Sequence, residues 1–364
     1  MSLPLFKDFN PILFIWDWLC ERMPIVAAIK FAAKKEVPVH KHSLWYYMGG
    51  VAMLFVIIQF VTGVLLMVHY VPSMDAAYQS VMAINNKIPF GWLIRSMHSW
   101  GANLFIFVLF IHMHSTYFMK AYRAPRELTW LTGLGLIFLA MVFGFTGYLL
   151  PMDEMAFFAS KVGIDIAGST PIIGDLVALF ARGGVEIGQG TINRFFTIHV
   201  IALPAALMGL LGLHLTLIQL QGISEPPEIQ KLPEKQKKYE KFFPDFFMKD
   251  LLVWLVVTVA FLAIVCISPW HLGPQADPAA AAPLGIRPEW YFLSQFQILK
   301  LMPQSFLFIE GEHLGLGLIG LAVASLAIVP FIDTGKNPLL SKLATVWGWM
   351  FLVGNVILTI WGMY

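Results

Sequence analysis

Seven stretches of this chain, roughly residues 44–70, 92–118, 130–150, 193–220, 250–270, 314–332 and 344–363, are long and apolar enough to cross a hydrocarbon core of about 30 Å. Hydrocarbon offers no water to peptide groups, so each segment must satisfy its own backbone as a helix. The composition agrees, with 58% hydrophobic and 13% charged residues against about 45–50% and 25% in soluble domains. The expected fold is all-α and polytopic, with seven transmembrane helices. A net charge of +2 gives no basic tail for nucleic acid. The opening MSLPLFKDFN lacks a basic stretch followed by an apolar core, so no cleavable signal peptide is expected. Cys20 and Cys266 stand alone, which argues against iron–sulfur clusters, thiolate zinc and ordinary c-type haem attachment in this chain.

Basic residues orient the spans. Seventeen of the 24 Lys and Arg fall before the first span or in the second-to-third, fourth-to-fifth and sixth-to-seventh connections. The positive-inside rule then places the N-terminus in the cytoplasm and the C-terminus outside, in a bacterial inner membrane or an equivalent energy-transducing one. The linker 221–249, rich in Pro, Lys and Glu, reads as a hinge between a four-helix block (residues 1–225) and a three-helix block (226–364). The long outer loops 151–192 and 271–313 contain apolar pieces that suit short helices lying in the interface over a site.

Within the first block, His98 and His112 are fourteen residues apart on the second span, and His199 and His214 are fifteen apart on the fourth. At 1.5 Å and 100° per residue each gap is about 21–22 Å and returns to nearly the same face. Two facing helices would thus offer one bis-histidine site near each membrane surface, which suits two b-type haems with no open iron position. His114, sixteen residues from His98, falls about 160° away and is not expected to be a ligand. The pairs should be His98 with His199 at the outer level and His112 with His214 at the inner level. Glycines repeat the period: Gly49 and Gly63 on the first span, Gly133 and Gly147 on the third. A missing side chain at each level makes room for the edge of a flat macrocycle. Arg95 and Arg194 suit either a haem propionate near the outer surface or the plain interfacial position of an arginine at a helix entrance.

These residues, with Trp92-Leu93-Ile94-Arg95-Ser96, Pro125-Arg126-Glu127-Leu128-Thr129-Trp130 and Pro288-Glu289-Trp290-Tyr291, resemble the cytochrome b subunits of Rieske-type quinol oxidases. The first four spans look like chloroplast-type cytochrome b6, and residues from about 225 look like subunit IV fused to it. The resemblance implies that quinol is oxidised at an outer pocket. One electron goes to a Rieske iron–sulfur protein and then to a c-type cytochrome or equivalent acceptor. The other crosses two haems to a quinone on the cytoplasmic side, contributing to a proton gradient. It also implies a homodimer within a multi-subunit complex. In that pocket Glu289 would take a proton from quinol, since partial burial raises a carboxyl pKa. Tyr148 would form the opposite wall. Pro288, Trp290, Tyr291 and Phe296 would bind quinol, and Phe157 and Phe158 would add apolar lining.

The chain also departs from that pattern. Tyr47 stands where cytochrome b6 carries the cysteine of a covalently attached extra haem, which argues against that group. Gln219 replaces an expected basic residue five positions after His214, and Met152-Asp153-Glu154 follows Pro151 where Trp is usual. Asp17, Glu21 and Arg22 match positions near the cytoplasmic quinone site. A di-haem anchor for a peripheral dehydrogenase, or a proton transporter without haem, would share the intramembrane histidines but would not require Pro288-Glu289-Trp290-Tyr291.

Overall fold

The computed structural model describes residues 10–364; Lys7 and the reading of the leader on residues 1–9 lie outside the described residues. Two short helices, α1 (Pro11–Arg22) and α2 (Ile25–Ala33), precede α3 (Tyr47–Met67), α4 (Ala77–Lys87), α5 (Gly91–Phe118) and α6 (Glu127–Tyr148). After α7 (Glu154–Gly168) and α8 (Gly174–Arg182), α9 (Gln189–Thr197), a π-helical turn (Ile198–Ala202) and α10 (Leu203–Gln221) run on as one span. The single turn α11 (Pro227–Gln230) is followed by α12 (Phe247–Ile267), α13 (Leu293–Leu301), α14 (Gly311–Ile332) and α15 (Pro338–Gly362). Two antiparallel strand pairs join β1 (Glu36–Pro38) to β2 (Tyr239–Lys241) and β3 (Ser305–Phe306) to β4 (Ile309–Glu310).

Among the described residues seven helices are long and apolar enough to cross a membrane: Ser43–Met67, Gly91–Phe118, Glu127–Tyr148, Gln189–Gln221, Phe242–Ile267, Gly311–Ile332 and Pro338–Gly362. The fifth and seventh begin six to eight residues earlier than hydropathy suggests, because Lys249, Asp250 and Lys342 sit within helical turns at the membrane edge. Asn337 fixes the start of α15 by accepting from the amides of Leu339 (2.9 Å) and Leu340 (3.4 Å), with Pro338 at the first helical position.

Helix α3 packs along α5, and α6 along α10. Gly101 permits the first approach: a Cβ there would stand 2.3 Å from Gln59 Nε2, which donates to the carbonyl of His98 at 3.1 Å. Helix α12 closes on this pair through Phe261, edge-on to Phe55 at 5.6 Å, and Val265. Lipid is as apolar as these side chains, so close packing rather than exclusion of water holds the helices together.

At the upper end the 151–192 and 268–287 segments interlock. The amide of Glu154 donates to Pro274 O (2.9 Å), that of Ala276 to Met152 O (3.1 Å), and Tyr78 Oη to Gly273 O (2.9 Å). The lower end is tied by the β1–β2 pair and by Tyr46 Oη donating to Ser224 O at 2.7 Å. It also holds a buried charge cluster between the α5–α6 and α14–α15 connections. Asp333 accepts from Tyr122 Oη (2.6 Å) and Arg123 Nη2 (2.7 Å), with Lys120 Nζ at 3.2 Å. Burial alone would push the Asp333 carboxyl up. The Tyr122 and Arg123 hydrogen bonds and the Lys120 and Arg123 charges outweigh it and hold the group below the usual carboxylate range.

Candidate functional site

The two histidine gaps differ by one residue, and the backbone absorbs the difference. The amide of Leu203 donates to Ile198 O, a five-residue step that defines a π turn around His199. Pro204 follows it with no N–H to give, and its ring would strike the carbonyl four residues back in an ordinary helix. The wider turn relieves that clash and takes up the extra residue. His199 and His214 therefore keep the relation of His98 and His112, about 21 Å apart and some 40° from eclipsed. Geometry drawn on an uninterrupted α-helix would have left the two pairs about 100° out of register with each other.

All four glycines face an imidazole on the neighbouring helix. A Cβ at Gly49 would lie 3.3 Å from Cε1 of His112, at Gly63 3.3 Å from that of His98, at Gly133 3.3 Å from that of His214, and at Gly147 2.6 Å from that of His199. Helix α3 thus seats the histidines of α5, and α6 seats those of the fourth span.

The residue before the glycine is threonine at three of these four places. Thr62 Oγ1 lies 2.9 Å from His98 Nδ1, Thr132 Oγ1 2.9 Å from His214 Nδ1, and Thr146 Oγ1 3.1 Å from His199 Nδ1. Each hydroxyl gives its single hydrogen to its own helix, at Ile58 O (2.6 Å), Thr129 O (2.9 Å) and Val142 O (2.9 Å) respectively. Its lone pair then accepts Nδ1–H, which fixes the tautomer and leaves Nε2 bare to ligate a metal. Met48 stands at the fourth place, and Nδ1 of His112 is buried without a hydrogen-bond partner among the described residues. The imidazoles of His98 and His199 are 6.3 Å apart, centroid to centroid. Bare imidazole nitrogens with ordered second nitrogens are the donor set that haem iron uses. His114 is turned away: its Nδ1 pairs with Phe110 O at 2.7 Å, and its ring lies 6.1 Å from that of Phe351 on α15.

A cavity of about 400 Å³ opens beside the upper pair and reaches the second block; its lining includes Gly63, His98, His199, Tyr148, Glu289 and Tyr291. Burial pushes the Glu289 carboxyl up, and the charge of Asp153 adds to the shift. Arg95 also lines the cavity, with its guanidinium engaged by Trp270 O (2.9 Å) and His271 O (3.1 Å). Arg194 does not reach it and donates to Leu179 O at 3.3 Å. Trp290 is not itself a lining residue and donates from Nε1 to Asn103 Oδ1 (2.8 Å), which belongs to the cavity wall. Pro288 and Phe296 are not among the lining residues, and Phe296 packs under Lys300 at 5.0 Å. Phe157 and Phe158 are also absent from the lining because they build the apolar core of the upper loops with Leu149, Ile164 and Phe195.

At the lower end, Tyr47 stacks on Phe246 at 4.7 Å. Gln219 receives a cation from elsewhere: Lys35 Nζ donates to its carbonyl (2.6 Å) and to its side-chain oxygen. Asp250 Oδ1 is buried against Gly50 without a hydrogen-bond partner among the described residues. Asp17, Glu21 and Arg22 lie on exposed α1, with Arg22 on Glu21 at 3.1 Å. Sequence reasoning missed the three threonines, Lys35 and Asp250. The threonines alone left a signal there, the dipeptide Thr-Gly at 62–63, 132–133 and 146–147.

Known proteins match this arrangement. A family model described as Cytochrome b/b6/petB matches residues 33–222, and one described as Cytochrome b(C-terminal)/b6/petD matches residues 275–364. The cytochrome bc complex cytochrome b subunit of Chlorobaculum thiosulfatiphilum is 43% identical over 344 residues, covering 94% of this chain and 79% of its own. The menaquinol:cytochrome c reductase cytochrome b subunit of Bacillus subtilis is 42% identical over 219 residues, 58% of this chain and 98% of its own. A solved chain of a hyperthermophilic respiratory Complex III superposes with a TM-score of 0.82 at 27% identity, covering 96% of this chain and 91% of that one. With half of the chain inside the first model and nearly all of it aligned to a close relative, this integral membrane protein belongs to the cytochrome b/b6 family, whose cofactor is b-type haem.

Proposed function

We propose that the chain is the cytochrome b subunit of a quinol–acceptor oxidoreductase of the bc type. It would hold one b-type haem between His98 and His199 and a second between His112 and His214. A bis-histidine haem supplies one-electron storage at an iron with no position open to other ligands. The observation that carries the reading is the cavity that joins the upper histidine pair to Glu289 and Tyr148.

Oxidation of a quinol releases two electrons and two protons. Glu289, partly buried and shifted towards neutrality, accepts one proton from a quinol hydroxyl in the cavity. Tyr148 and Tyr291 line the cavity beside Glu289 and would form its wall against the quinol ring. The two histidine pairs lie along one bundle axis and support electron delivery to the lower end. There the Asp250 carboxyl group, whose Oδ1 is buried and unpartnered among the described residues, would in its protonated form give a proton to a quinone being reduced. The basic connections support a cytoplasmic position for that end and an outer one for the Glu289 end.

The separate acceptor of the other electron would be a Rieske iron–sulfur protein passing it to a c-type cytochrome, in a homodimeric complex. The division at residues 225 and 226 is part of the same proposal, supported by the two family matches lying on either side of it. Tyr47, which carries no thiol to bond a haem, supports an inner site without a covalently attached third haem.

A dithionite-reduced visible spectrum tests the core of the reading. Two b-type haems per chain are expected in the wild type and in His114→Ala, and one in His112→Ala. No b-type α-band, or haem loss from His114→Ala with none from His112→Ala, overturns the ligation.

A further inference from the structure

Three of the four histidines are held by a threonine acceptor, and the fourth is not. At the upper level Nδ1 of His98 has Thr62 and that of His199 has Thr146 beside the Phe143 carbonyl; at the lower level that of His214 has Thr132 beside the Thr129 carbonyl, and that of His112 has no acceptor among the described residues. The imidazole of His112 nevertheless meets its glycine through Cε1 as the others do, with Nε2 (3.7 Å) turned slightly nearer the glycine than Nδ1. A Cβ at Gly49 lies 3.3 Å from its Cε1 and 3.8 Å from its Nδ1, against 3.3 and 3.9 Å at both Gly63 with His98 and Gly133 with His214. Nδ1 of His112 thus lies as near its glycine as Nδ1 of His98 and His214 do, and Met48, which precedes that glycine, offers no hydroxyl.

An acceptor on Nδ1–H makes an imidazole a stronger electron donor through Nε2. Stronger donation favours the oxidised, more positive iron and lowers its reduction potential. The upper level has two strengthened ligands and the lower level one. Resting on the haem ligation proposed above, we infer that Met48 is a positioning residue that acts by omission. By leaving His112 the weakest donor of the four, it raises the affinity of the lower level for an electron and directs transfer from the Glu289 end to the opposite end. In that exchange one electron leaves the upper level as the lower level gains it, and no bond or proton moves. Asymmetry of this kind is built from side chains already in the bundle and needs no difference in haem chemistry.

The test is a spectroelectrochemical redox titration of the purified complex, resolving the two α-bands. Met48→Thr is expected to lower the midpoint of the lower haem alone and shift the electron equilibrium between the haems about three- to tenfold towards the upper one, the worth of one neutral hydrogen bond. Thr132→Val should raise the lower midpoint, Thr62→Val should raise the upper one, and Thr62→Ser should titrate as wild type. Unchanged midpoints in Met48→Thr, or equal shifts in both haems, overturn the inference. Should Met48→Thr fail to assemble, Thr62→Val and Thr132→Val decide it, and a midpoint that does not rise in the haem each one serves overturns it as well. A wild-type protein with fewer than two b-type haems would instead sink the ligation on which the inference rests.

Discussion

Removing the Asp333 carboxylate should destabilise the protein more than any other single charge deletion outside the spans. Its side chain is fully buried, and it faces a Lys120 side chain only 8% exposed and an Arg123 side chain 19% exposed. Asp333→Ala leaves two desolvated cations without their counter-charge and the Tyr122 hydroxyl without its acceptor. Breaking a buried pair from one side costs about 3–5 kcal/mol. Residual bonds temper the loss: Lys120 Nζ reaches Tyr122 Oη at 3.1 Å and Ser341 O at 3.4 Å, and Arg123 reaches Ser341 Oγ. An expectation of about 3 kcal/mol follows, and Asp333→Asn should lie between Ala and wild type because it keeps an acceptor for Tyr122. The pH dependence has a definite sign. A carboxyl held below its usual range contributes stability above the unfolded pKa of about 3.9, and loses it as pH falls through the lower folded value. Thermal unfolding in detergent at pH 7 should therefore show a clear drop for Asp333→Ala, with the gap to wild type closing only in strong acid. The exposed Asp75→Ala serves as control and should stay within about 0.5 kcal/mol. An Asp333→Ala protein as stable as that control would show that water already solvates the cluster and would refute the reasoning.

Three further outcomes follow from the site. Gly133→Val should displace the His214 ring, 3.3 Å from the added Cβ, and bleach one haem band, whereas Gly209→Val, with nothing within 4 Å, should keep both; equal spectra would contradict the seating role. Quinol oxidation should rise with pH through the elevated Glu289 pKa, because only the ionised carboxylate can take the proton. Glu289→Gln should flatten that limb and Asp153→Asn should move it to lower pH; an unaltered limb in Glu289→Gln would exclude this carboxylate as the base. Deleting Ile201 together with Pro204→Ala should turn the π turn into plain helix and retain two haems, while deleting Gly209 should cost the lower haem. Haem loss from the Ile201 deletion would show that the turn does more than absorb one residue.

Apolar length and helical phase made the seven spans, the four histidines and the four glycines legible, since 1.5 Å and 100° per residue act on any sequence. Thr62, Thr132 and Thr146 were hidden because threonine in a membrane helix usually bonds its own backbone. Here each does that and also meets a histidine on another helix. Lys35 at Gln219 and Asp333 at Tyr122 pair residues 184 and 211 positions apart, contacts that only the closed bundle creates. Phe157 and Phe158 misled because an aromatic pair in an apolar loop has the same composition whether it lines a cavity or fills a core. The π turn was invisible because a fifteen-residue gap read on a regular helix already returns near its starting face.

That turn separates two properties that a regular helix binds together. In an uninterrupted helix a single added codon rotates every later side chain by about 100°, so a lineage changing helix length would pass through a form without its second ligand. A wide turn beside Pro204 confines the added residue to five positions and returns the chain to phase before His214. Span length can therefore drift by one residue, following membrane thickness or a neighbouring loop, while the inherited ligand geometry stays fixed.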